Sequence, residues 1–172
     1  KALSENNIKF FSHAAYVFNI AKYSNYKKQT KDEYDEALDM LNNAMLNRAI
    51  NELENIEKCG GIGSVFHVGK HLSKDKSIDK TPFENNMYHF IKDVIDNTHK
   101  LNSCFILETA AGQGTELLTS LEELGNFYNR FSSKYKKRVK ICIDTCHIFS
   151  TGNDICNHHK TIISNINKYI GW

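Results

Sequence analysis

Four short apolar segments of the 172-residue chain end in side chains that can bind a metal ion. These side chains are His13, His67, Glu108, and Asp144 with His147 three positions later. Neutral imidazole and carboxylate oxygen together are typical zinc ligands, and manganese is the alternative where oxygen ligands dominate. The residue types therefore predict a divalent-metal site with zinc as the preferred ion.

A purely structural interpretation of the same residues stays open. The chain has eight His and 20 acidic residues, and polar side chains are common where a strand emerges into solvent. One acid or imidazole at a strand end is therefore weak evidence for a ligand. Four consecutive segments that all end in ligand-type residues are harder to attribute to chance.

The apolar segments alternate with amphipathic helical stretches, which predicts an α/β fold of four βα units. The predicted strands are residues 8–13, 64–68, 104–108 and 139–144. The carboxyl ends of parallel strands meet at one edge of a sheet, so the five candidate ligands should converge there. Four units are too few for a closed eight-stranded barrel, which leaves an open sheet and part of a barrel as alternatives.

Helix-start signals follow three of the strands. Residues 30–33 have the pattern of a capping box, and Thr81 precedes a Pro at a first helical position. A third helix is expected to begin near Thr115, with a stripe of Leu residues facing inward, and a last one near His158.

Composition sets the broad class. The net charge is +2, from 22 basic and 20 acidic residues, and neither demands nor excludes a nucleic-acid partner. Five Cys without a CxxC pair indicate reduced thiols and an intracellular setting, cytoplasmic or nuclear. No apolar run approaches the ~18 residues of a membrane span, so we expect no membrane association. We expect one domain over residues 1–172, a monomer, and an amino-terminal part that is not represented before Lys1.

Two further segments have competing interpretations. The backbone of residues 112–114, Gly-Gln-Gly, could approach a phosphate, although a tight βα turn is the simpler explanation. The basic residues 134–140 could contact phosphates or form a solvated loop at the opposite end of their strand. Cys142 is expected in the core, and Cys146 beside His147 is a weaker ligand candidate.

Four segments resemble, in order, signature sequences of the endonuclease IV family of apurinic/apyrimidinic endonucleases. The two longest are residues 107–116, LETAAGQGTE, and residues 141–154, ICIDTCHIFSTGND. Residues 12–21, SHAAYVFNIA, and residues 66–72, FHVGKHL, look like two further segments of the family. The resemblance implies four consecutive βα units of a (β/α)8 TIM barrel. It also implies zinc-dependent hydrolysis of the DNA phosphodiester 5′ to an abasic site in a duplex, in base excision repair.

The resemblance assigns roles to the candidate ligands. His13 and His67 match ligands of one zinc ion, and Glu108 matches the carboxylate that bridges this ion to a second and is the catalytic candidate. Asp144 matches a ligand of the second ion and His147 a ligand of the third, so the complete protein would hold up to three.

Three other residues are candidates for contact with DNA. Tyr16 and Val17 match loop side chains that enter the duplex and hold the abasic nucleotide out of the stack. Lys70 stands where the family has a small residue and could meet a phosphate, and Val68 stands where the family commonly has Pro. The first strands of the family's barrel and its later ligands have no counterpart in the chain, so five ligands cannot complete three metal sites.

Two other functions compete with the nuclease. Sugar isomerases and epimerases of the related xylose isomerase-like barrels also place Glu, Asp and His at strand ends around a divalent metal. A non-catalytic partial barrel that binds DNA or protein is the third possibility. The contexts of residues 112–114 and 144–147 favour the nuclease.

Overall fold

The computed structural model describes residues 5–16, 18–24, 36–75 and 77–171, and its four strands form one parallel sheet. The strands are β1 (Phe11–His13), β2 (Gly63–Phe66), β3 (Cys104–Glu108) and β4 (Val139–Cys142). Their order in the sheet is their order in the chain, β1-β2-β3-β4. A doubly wound sheet reverses its order at a switch point, whereas consecutive barrel strands do not. The topology therefore favours the barrel segment over the open sheet.

Six helices connect or follow these strands within the described residues. They are α1 (Glu36–Lys58), α2 (Thr81–Asn97), α3 (Leu121–Tyr128), α4 (Ser133–Lys136), α5 (Thr145–Ser150) and α6 (Ile155–Tyr169), and one 3-10 turn spans Ile20–Lys22. α2 begins at Thr81 as predicted, with Pro in its first turn. The predicted capping box at residues 30–33 lies outside the described residues. No described helix combines the length and apolar character needed to cross a bilayer.

The third predicted helix begins later than expected, at Leu121 rather than near Thr115. Its start is fixed by a capping box in which the Ser120 hydroxyl accepts from the Glu123 amide and the Glu123 carboxylate accepts from the Ser120 amide. Leu118 lies in the preceding loop with a φ of 55° and is buried there. The apolar spacing that predicted helix therefore belongs partly to a packed loop.

Three predicted strands are also shorter than expected. β1 begins at Phe11 rather than at residue 8, while β2 ends at Phe66 and β4 at Cys142. His67 consequently lies just beyond β2, and Asp144 caps α5, a short helix that the sequence pattern did not predict.

The helices pack against one face of the sheet. The other face carries the candidate ligands and smaller apolar side chains. On the covered face Phe66 stacks on Phe105 with ring centroids 4.1 Å apart. Phe105 also meets Phe90 of α2 edge-on. On the other face Val65 and Ile106 form a small cluster below the strand ends. Side chains alternate along a strand, so the face that carries Ile106 also carries Glu108.

Candidate metal centre

A buried carboxylate lies at the middle of the predicted site. Glu108, the last residue of β3, is 5% exposed. Its Oε2 atom lies 3.4 Å from His13 Nε2 and 3.1 Å from His67 Nδ1. Burying a carboxylate is costly unless a cation or hydrogen-bond donors compensate its charge. These distances bring three of the five predicted ligands, His13, His67 and Glu108, into one group.

The other oxygen of the same carboxylate faces a second group. Glu108 Oε1 lies 3.9 Å from His147 Nδ1, and His147 Nε2 lies 3.9 Å from Asp144 Oδ2. In each group, one ligand atom per residue lies within 4.8 Å of the others. All five predicted ligands thus form two overlapping groups that share Glu108.

Backbone carbonyls determine which nitrogen two of the imidazoles present. His13 Nδ1 lies 2.9 Å from the Ala14 oxygen, and His147 Nδ1 lies 2.7 Å from the Thr109 oxygen. A carbonyl oxygen can only accept, so each Nδ1 donates and the neutral ring keeps its lone pair on Nε2. These Nε2 atoms then face carboxylate oxygens, and a cation between the two acceptors would stabilise the arrangement.

Asp144 holds the local backbone with one oxygen and faces the cluster with the other. Its Oδ1 accepts from the amides of Cys146 at 2.7 Å and His147 at 3.0 Å, which caps α5. The amide hydrogen bond from His147 lowers the pKa of Asp144, and further backbone and charge interactions outweigh the opposing effect of burial. The carboxylate is therefore ionised at neutral pH, as a metal ligand requires.

His67 is held in the form that binds a metal. Burial lowers its pKa, and the neighbouring His13 and His147 act in the same direction, although the charge of Glu108 opposes them. An imidazole with a lowered pKa is neutral at pH 7 and offers a lone pair.

The separations in the group of His13, His67 and Glu108 are those expected of ligands that share one ion. Two ligand atoms that bind one tetrahedral zinc with bonds of about 2.0 to 2.1 Å lie about 3.3 to 3.4 Å apart. The 3.4 and 3.1 Å separations from Glu108 to His13 and His67 are close to this value, and the 3.9 Å separation between His147 Nε2 and Asp144 Oδ2 is longer. The donor set of three imidazoles and two carboxylates fits a divalent metal such as zinc.

The predicted DNA-contact residues lie beside this cluster, apart from Val17, which lies outside the described residues. The Tyr16 ring lies 4.3 Å from the His67 ring between centroids and is 62% exposed. Phe18, by contrast, is buried against Phe66. Tyr16 is therefore not packed as loop core. Lys70 is exposed and lines the same cleft as Tyr16.

The segments with competing interpretations are explained by internal contacts. The Gln113 amide in the Gly-Gln-Gly loop donates to Glu116 Oε2 at 2.9 Å, which closes a tight turn. In the basic segment, Arg138 donates to the carbonyls of Ser103 and Thr98 at the amino end of the sheet. The two groups of candidate ligands found among the described residues contain no Cys, so Cys146 joins neither of them.

Sequence reasoning did not single out Glu116 or Asn19, which tie the loops of the site together. Glu116 stands inside the quoted segment 107–116, but its bridge with Lys70 in the loop after β2 depends on the fold. A carboxylate three residues after Gln113 is the local signal that could have identified the closed turn.

Comparisons with known proteins place the chain among barrel proteins. The family model described as "Xylose isomerase-like TIM barrel" matches residues 1–172. A protein of Thermoplasma volcanium named "Probable endonuclease 4" is 29% identical over 161 residues, covering 92% of this chain and 47% of its own length. A Caenorhabditis elegans protein named "Apurinic-apyrimidinic endonuclease" is 33% identical over 125 residues, covering 72% of this chain and 30% of its own length. The chain thus spans half the length of these curated relatives or less.

Two solved structures resemble the chain about equally well. Endonuclease IV from Thermus thermophilus gives a TM-score of 0.69 at 17% identity, over 99% of this chain and 52% of that one. A D-tagatose 3-epimerase-like protein gives 0.68 at 15% identity, over 98% of this chain and 55% of that one. At these identities the similarity establishes the TIM-barrel fold, here as a segment, and does not separate a nuclease from an epimerase.

Proposed function

The chain belongs to the family of xylose isomerase-like TIM barrels, and from that premise we propose that it is the ligand-bearing part of a zinc-dependent apurinic/apyrimidinic endonuclease. Relatives named endonuclease 4 or apurinic-apyrimidinic endonuclease match it at 29% and 33% identity, which favours nuclease chemistry over sugar epimerisation. The proposed reaction is hydrolysis of the DNA phosphodiester 5′ to an abasic site. We further propose that residues 1–172 form a single partial-barrel domain.

The observation that carries the proposal is the buried Glu108 carboxylate, with His13 and His67 at one oxygen and His147 at the other. We propose that His13, His67 and Glu108 would hold one divalent ion, and Glu108 with Asp144 and His147 would hold further ions. When bound, clustered divalent ions polarise a phosphodiester and neutralise charge on the leaving oxygen. Manganese is the alternative ion.

Other groups of the chain orient the candidate ligands and line the base of the site. The carbonyls of Ala14 and Thr109 fix the rings of His13 and His147, so the ligand lone pairs point inward before any ion binds. Ile106 and Val65 form a buried apolar cluster on the face of the sheet that carries Glu108. A fixed, partly dry site strengthens electrostatic interactions with a transferring phosphoryl group.

Selection of an abasic nucleotide is assigned to the loop after β1. An abasic nucleotide has no base to unstack, so extruding it from a duplex costs less than extruding an ordinary nucleotide. Tyr16 presents an exposed aromatic surface beside His67, and Val17 follows it in sequence. Their apolar surface would fill the gap that the extruded nucleotide leaves. Lys70, in the same cleft, would contact a phosphate.

The test is cleavage of a duplex that contains one abasic site by the zinc-loaded, full-length protein. We expect one cut 5′ to the abasic site that leaves a 3′-hydroxyl, with an undamaged duplex of the same sequence left intact. The matched competing assay is epimerisation of a free ketose. Ketose turnover with both duplexes intact would reject the nuclease in favour of the epimerase, and inactivity in both assays would favour a binding module.

A further inference from the structure

Thr109, the residue after Glu108, is bonded to the segment that carries two of the candidate ligands. It is 5% exposed, and each of its three polar groups forms a hydrogen bond. Its amide donates to the Cys142 carbonyl at 3.0 Å, and its own carbonyl accepts from His147 Nδ1 at 2.7 Å. Its hydroxyl accepts from the Asp144 amide at 3.0 Å and donates to the Asp144 carbonyl at 3.4 Å. A buried hydroxyl is costly without such partners, so these contacts favour one placement of the segment.

The Thr109 hydroxyl binds Asp144 beyond the point where the pairing of β3 with β4 ends. The last pair of this register is Glu108 with Cys142, and β4 ends there. Asp144 lies two residues further along the chain, and its amide donates to the hydroxyl. Within the sheet, hydrogen bonds between backbones fix the offset of one strand from the next. Beyond the sheet, the Thr109 side chain fixes the offset of Asp144 from Glu108.

A second contact holds the other end of α5. The Ser150 hydroxyl donates to the Ala111 carbonyl at 2.6 Å, so α5 lies along the loop after β3. Ser150 holds the carboxyl end of this helix, whereas Thr109 holds the amino end, where Asp144 is the cap. The contact nearest to the candidate ligands is therefore the one made by Thr109.

We propose that Thr109 is a positioning residue whose hydroxyl holds Asp144, and through α5 His147, where the two can bind an ion together. Glu108 is the third member of this group in the metal centre proposed above, so the inference rests on the proposed function. His147 Nε2 and Asp144 Oδ2 are 3.9 Å apart, already more than the ~3.3 to 3.4 Å expected for two ligands of one tetrahedral zinc. A shift of Asp144 away from His147 would therefore make the group a poorer site.

The first test measures zinc binding by the full-length protein in competition with a chromophoric chelator. Thr109→Val keeps the shape of the side chain and removes the hydroxyl. We expect the ion bound by Asp144 and His147 to be held about tenfold to a hundredfold more weakly, as is typical when a group that orients a ligand is lost. The ion bound by His13 and His67 should keep nearly its parental affinity. Thr109→Ser keeps the hydroxyl and should bind zinc as the parent does.

Thr98→Val is the matched control for the loss of a buried hydroxyl. Thr98 follows α2 at the amino end of the sheet, is 3% exposed, and donates its hydroxyl to the Val94 carbonyl at 2.7 Å. This variant should lower the melting temperature and leave zinc affinity unchanged. Parental zinc affinity in Thr109→Val, an equal loss in Thr109→Ser, or an equal weakening of every bound ion would overturn the proposal. If Thr109→Val does not fold, Thr109→Ala removes the hydroxyl with a smaller side chain and takes its place.

The second test observes the ¹⁵N signals of the His147 ring in the zinc-free, full-length protein at alkaline pH, assigned by their loss in His147→Gln. In the parent and in Thr109→Ser we expect the proton on Nδ1, the atom that donates to the Thr109 carbonyl. In Thr109→Val we expect a mixture of the two neutral tautomers, because displacement of Asp144 weakens that hydrogen bond. An unchanged ring in Thr109→Val would overturn the proposal. A parent that binds no zinc would reject the proposed function instead, while the ring spectrum still decides the role of Thr109.

Discussion

At the scale of single residues, Glu108 is central to the candidate metal centre because its two oxygens face different imidazoles. Glu108→Gln keeps the side-chain volume but replaces an ionised ligand with a neutral amide. In the full-length protein we expect it to lower zinc content in both groups and to lower kcat/KM on an abasic duplex at least about a hundredfold. Elemental analysis and a cleavage assay measure the two effects.

The comparison variant for Glu108→Gln is Lys70→Ala, which removes one exposed cation from the adjoining cleft. Loss of one phosphate contact should weaken binding of the duplex about threefold to tenfold and make it less sensitive to salt. Zinc content should stay parental. Equal and mild losses of activity in the two variants would place Glu108 outside the metal centre.

The Asp144 side chain has two roles to distinguish, as the cap of α5 and as a candidate metal ligand, and two substitutions separate them. Asp144→Asn keeps an oxygen that can accept from the Cys146 and His147 amides, so α5 should remain capped and the melting temperature nearly unchanged. It removes the charge that faces His147 Nε2, so zinc content should fall. Asp144→Ala should lose both the cap of α5 and the candidate metal ligand, and the lost cap should destabilise the protein by about 1 kcal/mol. A full complement of zinc in Asp144→Asn would show that this carboxylate is only a cap.

At the scale of elements, the Glu57 carboxylate contributes to the link between α1 and the residues just before β3. Glu57, near the end of α1, accepts from the amides of Asn102 and Ser103 just before β3. Burial tends to raise the pKa of Glu57, but the hydrogen bonds from these two residues outweigh it and lower the pKa below 4.5. The charged form is therefore the one that the folded state stabilises.

Glu57→Gln should destabilise the metal-free, full-length protein by about 1 kcal/mol at pH 7. A lowered pKa contributes stability that is fully present above the ordinary value of 4.5 and is lost as the pH falls through the lowered value. Urea titrations should therefore show a difference between parent and variant at pH 7 that shrinks toward pH 3. The control, Glu54→Gln, removes an exposed pair with Lys58 and should cost under about 0.5 kcal/mol. An equal difference at both pH values would contradict the charge-based explanation.

The elements also show where sequence reasoning succeeds. β3 was predicted with its observed bounds, and α2 with its observed start, because a bounded apolar run and a Thr-Pro start are local signals. The convergence of the candidate ligands could be predicted because parallel strands bring their carboxyl ends to one edge of the sheet. The start of α3 was wrong, since the helical spacing that includes Leu118 arises from a loop packed onto its neighbours. The bridge between Lys70 and Glu116 depends on two loops meeting and has no local signal.

At the scale of the whole molecule, four strand ends contribute the five candidate ligands to one place. The rigid sheet supplies this convergence, since the order β1-β2-β3-β4 sets neighbouring ligands one strand apart. The loops fix orientation, with Ala14 and Thr109 as acceptors from the rings of His13 and His147. Fold and site therefore support each other, and loss of the proposed ion should weaken the connection among the four βα units.

Metal removal tests this linkage in the full-length protein. An ion that binds only the folded state stabilises it by RT ln(1 + [L]/Kd), which is about 4 kcal/mol at a thousandfold excess over Kd. We therefore expect chelation to lower the melting temperature by several degrees and readdition of zinc to restore it. Glu108→Gln should melt near the chelated parent and respond little to chelator, because its ligand groups are already impaired. If elemental analysis shows that zinc has left and the parental melting curve does not move, the five residues do not join the strand ends through a metal.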